Sequence, residues 1–326
     1  GTVLFLIGTY AIQYTIGFSF WEMPIDRGGI ANFHTFFNVV VTLVFIPFTR
    51  LLEKLACMTI RDKNETDSQP VNEILDERFL VSPSLALQKC TSTVERMAAL
   101  AKENFSEIIA LFEKYDTKTA DRIRENEDAI DKMEDKLGQY LLKLTQKELN
   151  ESENKTVTEL LHLINEFERI GDYAINVLES AEHMYNHKIA FSDQAKKELS
   201  VINEAVSEII DKACTCFENR DNVVAAGVEP LEETIDMIQE TLKNRHVERL
   251  KEGTCSIEAG VVLLDILTNL ERISDHCSNI ALYILDYNSN VSIFDHHEYL
   301  KNMHEGSKEE FNRMLSVYEE KYYARI

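Results

Sequence analysis

Proline and glycine are scarce in this chain: 5 and 11 of 326 residues. Architectures built on many tight turns, and collagen-like or low-complexity ones, need more of both. With abundant Glu, Lys, Leu and Ala, the shortage favours helices. Basic residues are also short, 34 against 56 acidic, for a net charge of −22. Nucleic acid needs a basic footprint, so it is excluded as a partner. The six cysteines, at 57, 90, 214, 216, 255 and 277, form no C-x-x-C pair. They suggest neither a disulfide frame nor a Cys-type zinc site, and read as free thiols of a reducing compartment. No Walker loop, dinucleotide glycine motif or Ser-His-Asp set is present. Glu159 and His162 form one Glu-x-x-His, but the later half has Val262 and Asp265 at the matching positions. A di-iron bundle needs two such motifs. The chain does not read as an enzyme.

What is present is a doubled acidic signature. Residues 168–172 read ERIGD and residues 271–275 read ERISD, each followed four residues later by an Asn, Asn176 and Asn279. Glu127 and Asp131 recur 105 residues on as Glu232 and Asp236. Residues four apart share a helix face, where unpaired like charges are destabilising. The eight candidate ligands are Glu127, Asp131, Glu168, Asp172, Glu232, Asp236, Glu271 and Asp275, with Asn176 and Asn279 as auxiliary oxygen donors. Carboxylate oxygens suit hard cations. The alternative is a hydrated acidic stripe partly neutralised by Arg169 and Arg272.

Apolar periodicity places three helices at about 84–190 and three more at about 193–290. Within the first triplet they fall near 84–115, 117–148 and 157–187, with the polar run 150–154 as a break; within the second the later two fall near 230–252 and 257–285. Two tandem three-helix bundles are expected within residues 84–295, preceded by a polar linker at 56–83 and followed by a C-terminal helix within 296–326.

The first 55 residues differ. Their three acidic and three basic residues cancel, so the whole −22 falls on the remainder. Apolar runs at 1–20 and 30–48 flank a turn holding Trp21, Pro24 and Gly28–Gly29. Each run approaches the roughly 20 residues of a bilayer span, which predicts a transmembrane helical hairpin. Arg50, Lys54, Arg61 and Lys63 follow, so residues 56–326 are expected in the cytoplasm and the chain in the inner membrane, multi-pass. Ala31, His34, Thr35, Asn38 and Thr42 make a polar stripe, with His34 and Asn38 its strongest members. The chain opens inside an apolar run without an initiator Met, and reads as the later part of something longer.

Two resemblances rest on these residues. The stretch A31-N-F-H-T-F-F-N38 and the segment L75-D-E-R-F-L-V-S-P-S-L-A-L87 resemble the end of bacterial sodium/phosphate cotransporter family proteins. The tandem acidic motifs resemble the PhoU family, named for a regulator of phosphate uptake. The chain is thus all-α. It is expected to be the C-terminal part of a sodium-dependent phosphate transporter, carrying a cytoplasmic PhoU-like regulatory domain. The alternative is a membrane-tethered phosphate-signalling adaptor that transports nothing. The PhoU resemblance implies metal ions at the acidic motifs (Fe, Mn, Mg or Zn). The cotransporter resemblance implies sodium, inorganic phosphate and the membrane as partners. A homo-oligomer is left open.

Overall fold

Long amphipathic segments with few helix breakers produce long helices, and the computed structural model consists of them. It describes residues 9–11, 13–17, 21, 27–45, 75–288 and 308–326. The chain divides into two units, Gly1–Gln69 and Pro70–Ile326.

In the first unit, α1 spans Arg27–Phe45. His34 and Asn38 lie exposed on it, the Asn38 amide 3.2 Å from His34 Nδ1. Among the described residues no helix is long and apolar enough to cross a membrane. The expected hairpin therefore has no counterpart there. The polar stripe that includes His34, Thr35, Asn38 and Thr42 dilutes the apolar run on α1. Most of the first expected span, at 1–20, lies outside the described residues.

The second unit holds α2 (Pro83–Glu113), α3 (Thr117–Leu144), α4 (Glu151–His187), α5 (Asp193–Asn219), the short α6 (Asn222–Ala226), α7 (Glu229–Lys251), α8 (Ile257–Asn288) and α9 (Lys308–Lys321). Capping side chains mark the starts. Asp116 accepts from the Thr119 amide and Ser192 from the Ala195 amide. Asn150 and Glu153 form a reciprocal capping box. That box corrects the expected break at 150–154: the polar run is the cap and first turn of α4. A cap of this kind is worth about 1 kcal/mol. Lys188 and Arg220 close α4 and α5 in the left-handed conformation, at φ 56° and 53°.

Helices α2, α3 and α4 pack into one three-helix unit, and α5, α7 and α8 into another. The two share one apolar core, in which the Phe167 ring of α4 meets Phe217 of α5 at 5.7 Å. The most extensive helix packing is α4 on α8, across the repeats. Tyr173 and His276, 103 residues apart in matching positions, stack on each other there at 5.5 Å. Equivalent residues that touch mark a local two-fold axis between α4 and α8.

The expected linker 56–83 is corrected at its end. Leu75 and Leu80 are buried, and the Tyr140 hydroxyl donates to the Asp76 carbonyl at 3.0 Å. Burying two leucines contributes about 1.5–3 kcal/mol each, enough to fold this stretch onto α2 and α3. The last helix begins at Lys308, and His296–His297 lies outside the described residues.

Candidate metal centres

The acidic residues of each repeat sit on its second and third helices, beside the core stripe. On α3 the buried Ile123, Ile130, Met133 and Leu137 face inward, which leaves Glu127 and Asp131 at the margin facing α4. On α4 the buried Phe167, Ile170 and Ala174 do the same for Glu168 and Asp172. Carboxylate oxygens of Glu127, Asp131 and Asp172 come within 4.8 Å of one another. In the second repeat Glu232, Asp236 and Asp275 form the matching triad, also within 4.8 Å.

Glu168 and Glu271 complete each set electrostatically. Burial, then the negative charge of Asp172, raises the Glu168 carboxyl, against the pull of Arg169. Glu127 is pushed up to about 7 by burial and by Asp131 and Asp172. Asp236 is pushed up to about 6 by burial, with Glu271 and Asp275 adding to it. Glu232 lies far above the usual carboxylate range, through burial and then Glu229, Asp236 and Asp275. Crowding against one core edge thus makes Glu127, Glu168, Glu232 and Asp236 hold protons that isolated acids would release.

The second site contains two acids that lie outside the paired motifs. Glu229 and Glu233 join Glu232 in a group within 4.8 Å. Glu229 is buried and accepts from the Ser278 hydroxyl. Its counterpart 105 residues earlier is Arg124, which pairs with Glu182. The signal for this exchange is the repeat offset itself, applied position by position.

The two auxiliary asparagines make contacts of their own through their amide nitrogens. The Asn176 amide donates to Asn269 Oδ1 at 3.2 Å, and the Asn279 amide to Glu166 Oε2 at 3.1 Å. Asn269 and Glu166 also stand 103 residues apart, so these are two copies of one interaction across the α4–α8 axis. One turn of helix beyond Asp172 and Asp275 brings a residue to the same side of the helix, but here to the neighbouring repeat.

The charges are partly neutralised from within. Arg272 Nη1 lies 3.0 Å from Asp275 Oδ2, and its Nε 3.6 Å from Glu271 Oε2. Asp236 Oδ1 is nonetheless buried without a hydrogen-bond partner among the described residues. A buried carboxylate oxygen with no donor is expensive unless a cation or proton faces it. The donor set, all oxygen and without His or Cys, suits a hard cation. By both tests the residues fit a metal ion.

Comparison with known proteins bears on the family and the tandem helical fold. The family model for the PhoU domain matches residues 94–181 and 199–284. A Thermotoga maritima protein, "Phosphate-specific transport system accessory protein PhoU homolog 1", is 26% identical over 223 residues, covering 67% of this chain and 92% of that one. A Salmonella typhimurium protein, "Putative inorganic phosphate export protein YjbB", is 23% identical over 259 residues, or 79% of this chain. The chain spans about half the length of that relative, 48%. The crystal structure of PhoU from Pseudomonas aeruginosa superposes with a TM-score of 0.58 at 21% identity, over 65% of this chain and 98% of that one. That of the phosphate transport system regulatory protein PhoU from Streptococcus pneumoniae gives 0.58 at 17% identity.

Proposed function

The chain belongs to the PhoU domain family, and on that footing we propose that it is a non-catalytic regulator of phosphate transport whose two acidic centres bind metal ions. The observation that carries this reading is the recurrence of one carboxylate triad on matching helices of both repeats, with the Asp236 oxygen unpartnered. A bound metal would supply positive charge to these sites and an open coordination position for a phosphate oxygen. The protein supplies the rest. Glu127 and Asp131 on α3, with Glu168 and Asp172 on α4, would hold the first ion; Glu232, Asp236, Glu271 and Asp275 would hold the second. Without a cation their mutual repulsion pushes α3 from α4 and α7 from α8. With one, the pairs draw together, which biases the helix packing that a partner reads. Mg, Mn and Fe fit the oxygen donors better than Zn.

Of the two roles the sequence leaves open, the adaptor is better supported, because the accessory PhoU homologue aligns over nearly its full length. A second reading has its own observation. The alignment with the phosphate export relative is longer than that with the accessory protein and leaves half of the relative unmatched. On that reading this chain is the regulatory part of a longer membrane protein that moves phosphate, with residues 56–326 on the cytoplasmic side and α1 contributing His34 and Asn38 to a polar path. Sodium would then be the coupling ion.

The test is elemental analysis of folded protein, together with phosphate flux in cells. Asp172→Ala should remove about half the bound metal, and adding Asp275→Ala nearly all of it. Flux should change in the double variant while the amount of protein in the cell stays constant. Unaltered metal content in the double variant would leave only a hydrated acidic face.

A further inference from the structure

The turn that joins α7 to α8 places a thiol beside a buried imidazole. Cys255 is half-buried in that turn, and its Sγ lies 3.9 Å from Nδ1 of His246 on α7. The thiol hydrogen has a second acceptor in the Ser256 carbonyl, at 3.4 Å. The His246 ring is 1% exposed, and its other nitrogen, Nε2, is buried without a hydrogen-bond partner among the described residues. Nε2 rests against Gly260 of α8, so closely that a Cβ there would overlap it. Glycine at 260 is what gives the ring its seat.

The seat is particular to the second bundle. The offset of 105 carries His246 onto Leu141, and the α4–α8 offset of 103 carries Gly260 onto Val157. Leu141 and Val157 are both buried. Two aliphatic residues in one repeat are thus a ring and a glycine in the other. Arg249, held by Glu198 at 2.8 Å, likewise stands where the first repeat has Leu144. A buried ring nitrogen without a partner is costly. Packing does not require it, since leucine fills the same position in the first repeat. Burial, then the charge of Arg249, lowers the His246 pKa, so the ring is neutral at pH 7. A neutral imidazole has one lone-pair nitrogen. With the hydrogen on Nε2 beside Gly260, the lone pair of Nδ1 faces the thiol.

The other described cysteines offer no such site. Cys90, Cys214, Cys216 and Cys277 are buried. Burial pushes the first three up to about 12 and Cys277 well above the ordinary thiol range. Thiol reactivity follows access and the ease of forming the thiolate.

We propose that Cys255 is a modification site, which exchanges with the disulfide of a small thiol while His246 takes the proton. The Cys255 S–H proton passes to His246 Nδ1, and the sulfur attacks one sulfur of the small disulfide. That S–S bond breaks as the new one to Cys255 forms. The leaving thiolate takes the proton from Nδ1 and departs as a thiol. One disulfide is consumed and one is formed, so no further oxidant enters, and the free small thiol reverses the step. The adduct adds bulk to the turn between α7 and α8. The site uses no residue of the acidic centres and stands independently of metal binding.

The probe is glutathione disulfide, added to the intact folded chain near pH 7 and followed by mass spectrometry with peptide mapping. Cys57, which lies outside the described residues, is replaced by serine throughout. One glutathionyl group should appear at Cys255 while the four buried cysteines stay free. Its rate should exceed that of the same cysteine in the urea-unfolded chain by about tenfold or more. His246→Leu, which installs the residue of the first repeat, should remove that advantage near neutral pH. Parent and variant should converge above about pH 9.5, where a thiol ionises unaided. A ring that served packing alone would give no such pH-dependent difference. Should His246→Leu fail to fold, His246→Gln, polar but unable to take the proton, makes the same comparison. Equal rates in parent and variant across the pH range would overturn the proposal. So would first modification at a buried cysteine, or a folded-chain rate at or below that of the unfolded chain.

Discussion

The two acidic centres have the same motif and the same helix pair, yet differ in charge and burial. In the first, Asp131 and Asp172 of the triad are exposed at least in part, and Arg124 lies one turn before Glu127. In the second that position is Glu229, buried, and the triad is drawn further into the protein. Desolvation and a fifth negative charge both act against ionisation there. The Glu232 proton is accordingly held far more firmly than that of Glu127, which titrates near 7. The repeat thus keeps the acids and changes their surroundings. The second set is the more buried and holds its protons more firmly, and the first titrates near neutral pH.

The largest effect should come from removing the second centre's buried carboxylate. Losing an outer partner of a metal ligand typically costs 10–100-fold in affinity. Asp236→Ala removes a candidate ligand itself, so the second centre should lose more than about 100-fold, read by competition with a chelator. The matching Asp131→Ala should cost less. If the two variants lose equal affinity, the difference in burial has no consequence for binding.

Next is the exchanged charge. Glu229→Gln removes one negative charge from beside Glu232, and should weaken the second centre about tenfold, or about 1.4 kcal/mol. It should also lower the Glu232 pKa, because Glu229 is its strongest charged neighbour. Arg124→Gln should strengthen the first centre by less, since the guanidinium is already engaged by Glu182. Affinities that move in the same direction in both variants would break the comparison.

A third effect is the pH dependence of stability without metal. Glu127 and Asp236 are raised to about 7 and about 6 in the folded protein, from 4.5 and 3.8. The folded state therefore binds more protons than the unfolded state between about pH 4 and 7, and stability falls as pH rises through that window. Groups with lowered values, such as Asp76 and Glu204, act in the opposite direction. The contribution is thus read as a difference. In urea melts with chelator, Glu127→Gln should gain on the parent as pH rises from 5 to 8, and the gain should vanish when metal is added. A constant difference across that range would show that Glu127 is not raised.

Much of this fold is legible in the sequence alone. The offsets of 103 and 105 locate both repeats, and the acidic pairs fall on the right helices because a four-residue spacing fixes a helix face. Spacing does not say which neighbour that face meets. It suggests Asn176 and Asn279 as oxygen donors, and gives no sign that their amide nitrogens donate across the α4–α8 axis. The run 150–154 resembles a break because Asn, Glu and Ser are polar, although Asn150 with Glu153 is also a cap signature. The apolar content of α1 is legible too, but its polar stripe weighs against a span. Glu229 emerges only when the two repeats are compared position by position.

The smallest effect concerns those two asparagines. Asn176 meets the neutral Asn269, whereas its counterpart Asn279 meets the Glu166 carboxylate. Hydrogen bonds between neutral groups contribute about 0.5–1.5 kcal/mol, and those to charged groups about 1.5–3. Asn176→Ala should therefore cost about 1 kcal/mol of unfolding free energy. Asn279→Ala should cost somewhat more, though below the full charged value, because His276 Nδ1 still lies 2.7 Å from Glu166. Neither variant should change the metal content. That second readout separates the two roles: removing a ligand from a centre lowers metal content, whereas breaking a hydrogen bond between helices lowers only stability. Metal loss in Asn279→Ala, with stability unchanged, would return that residue to the second centre.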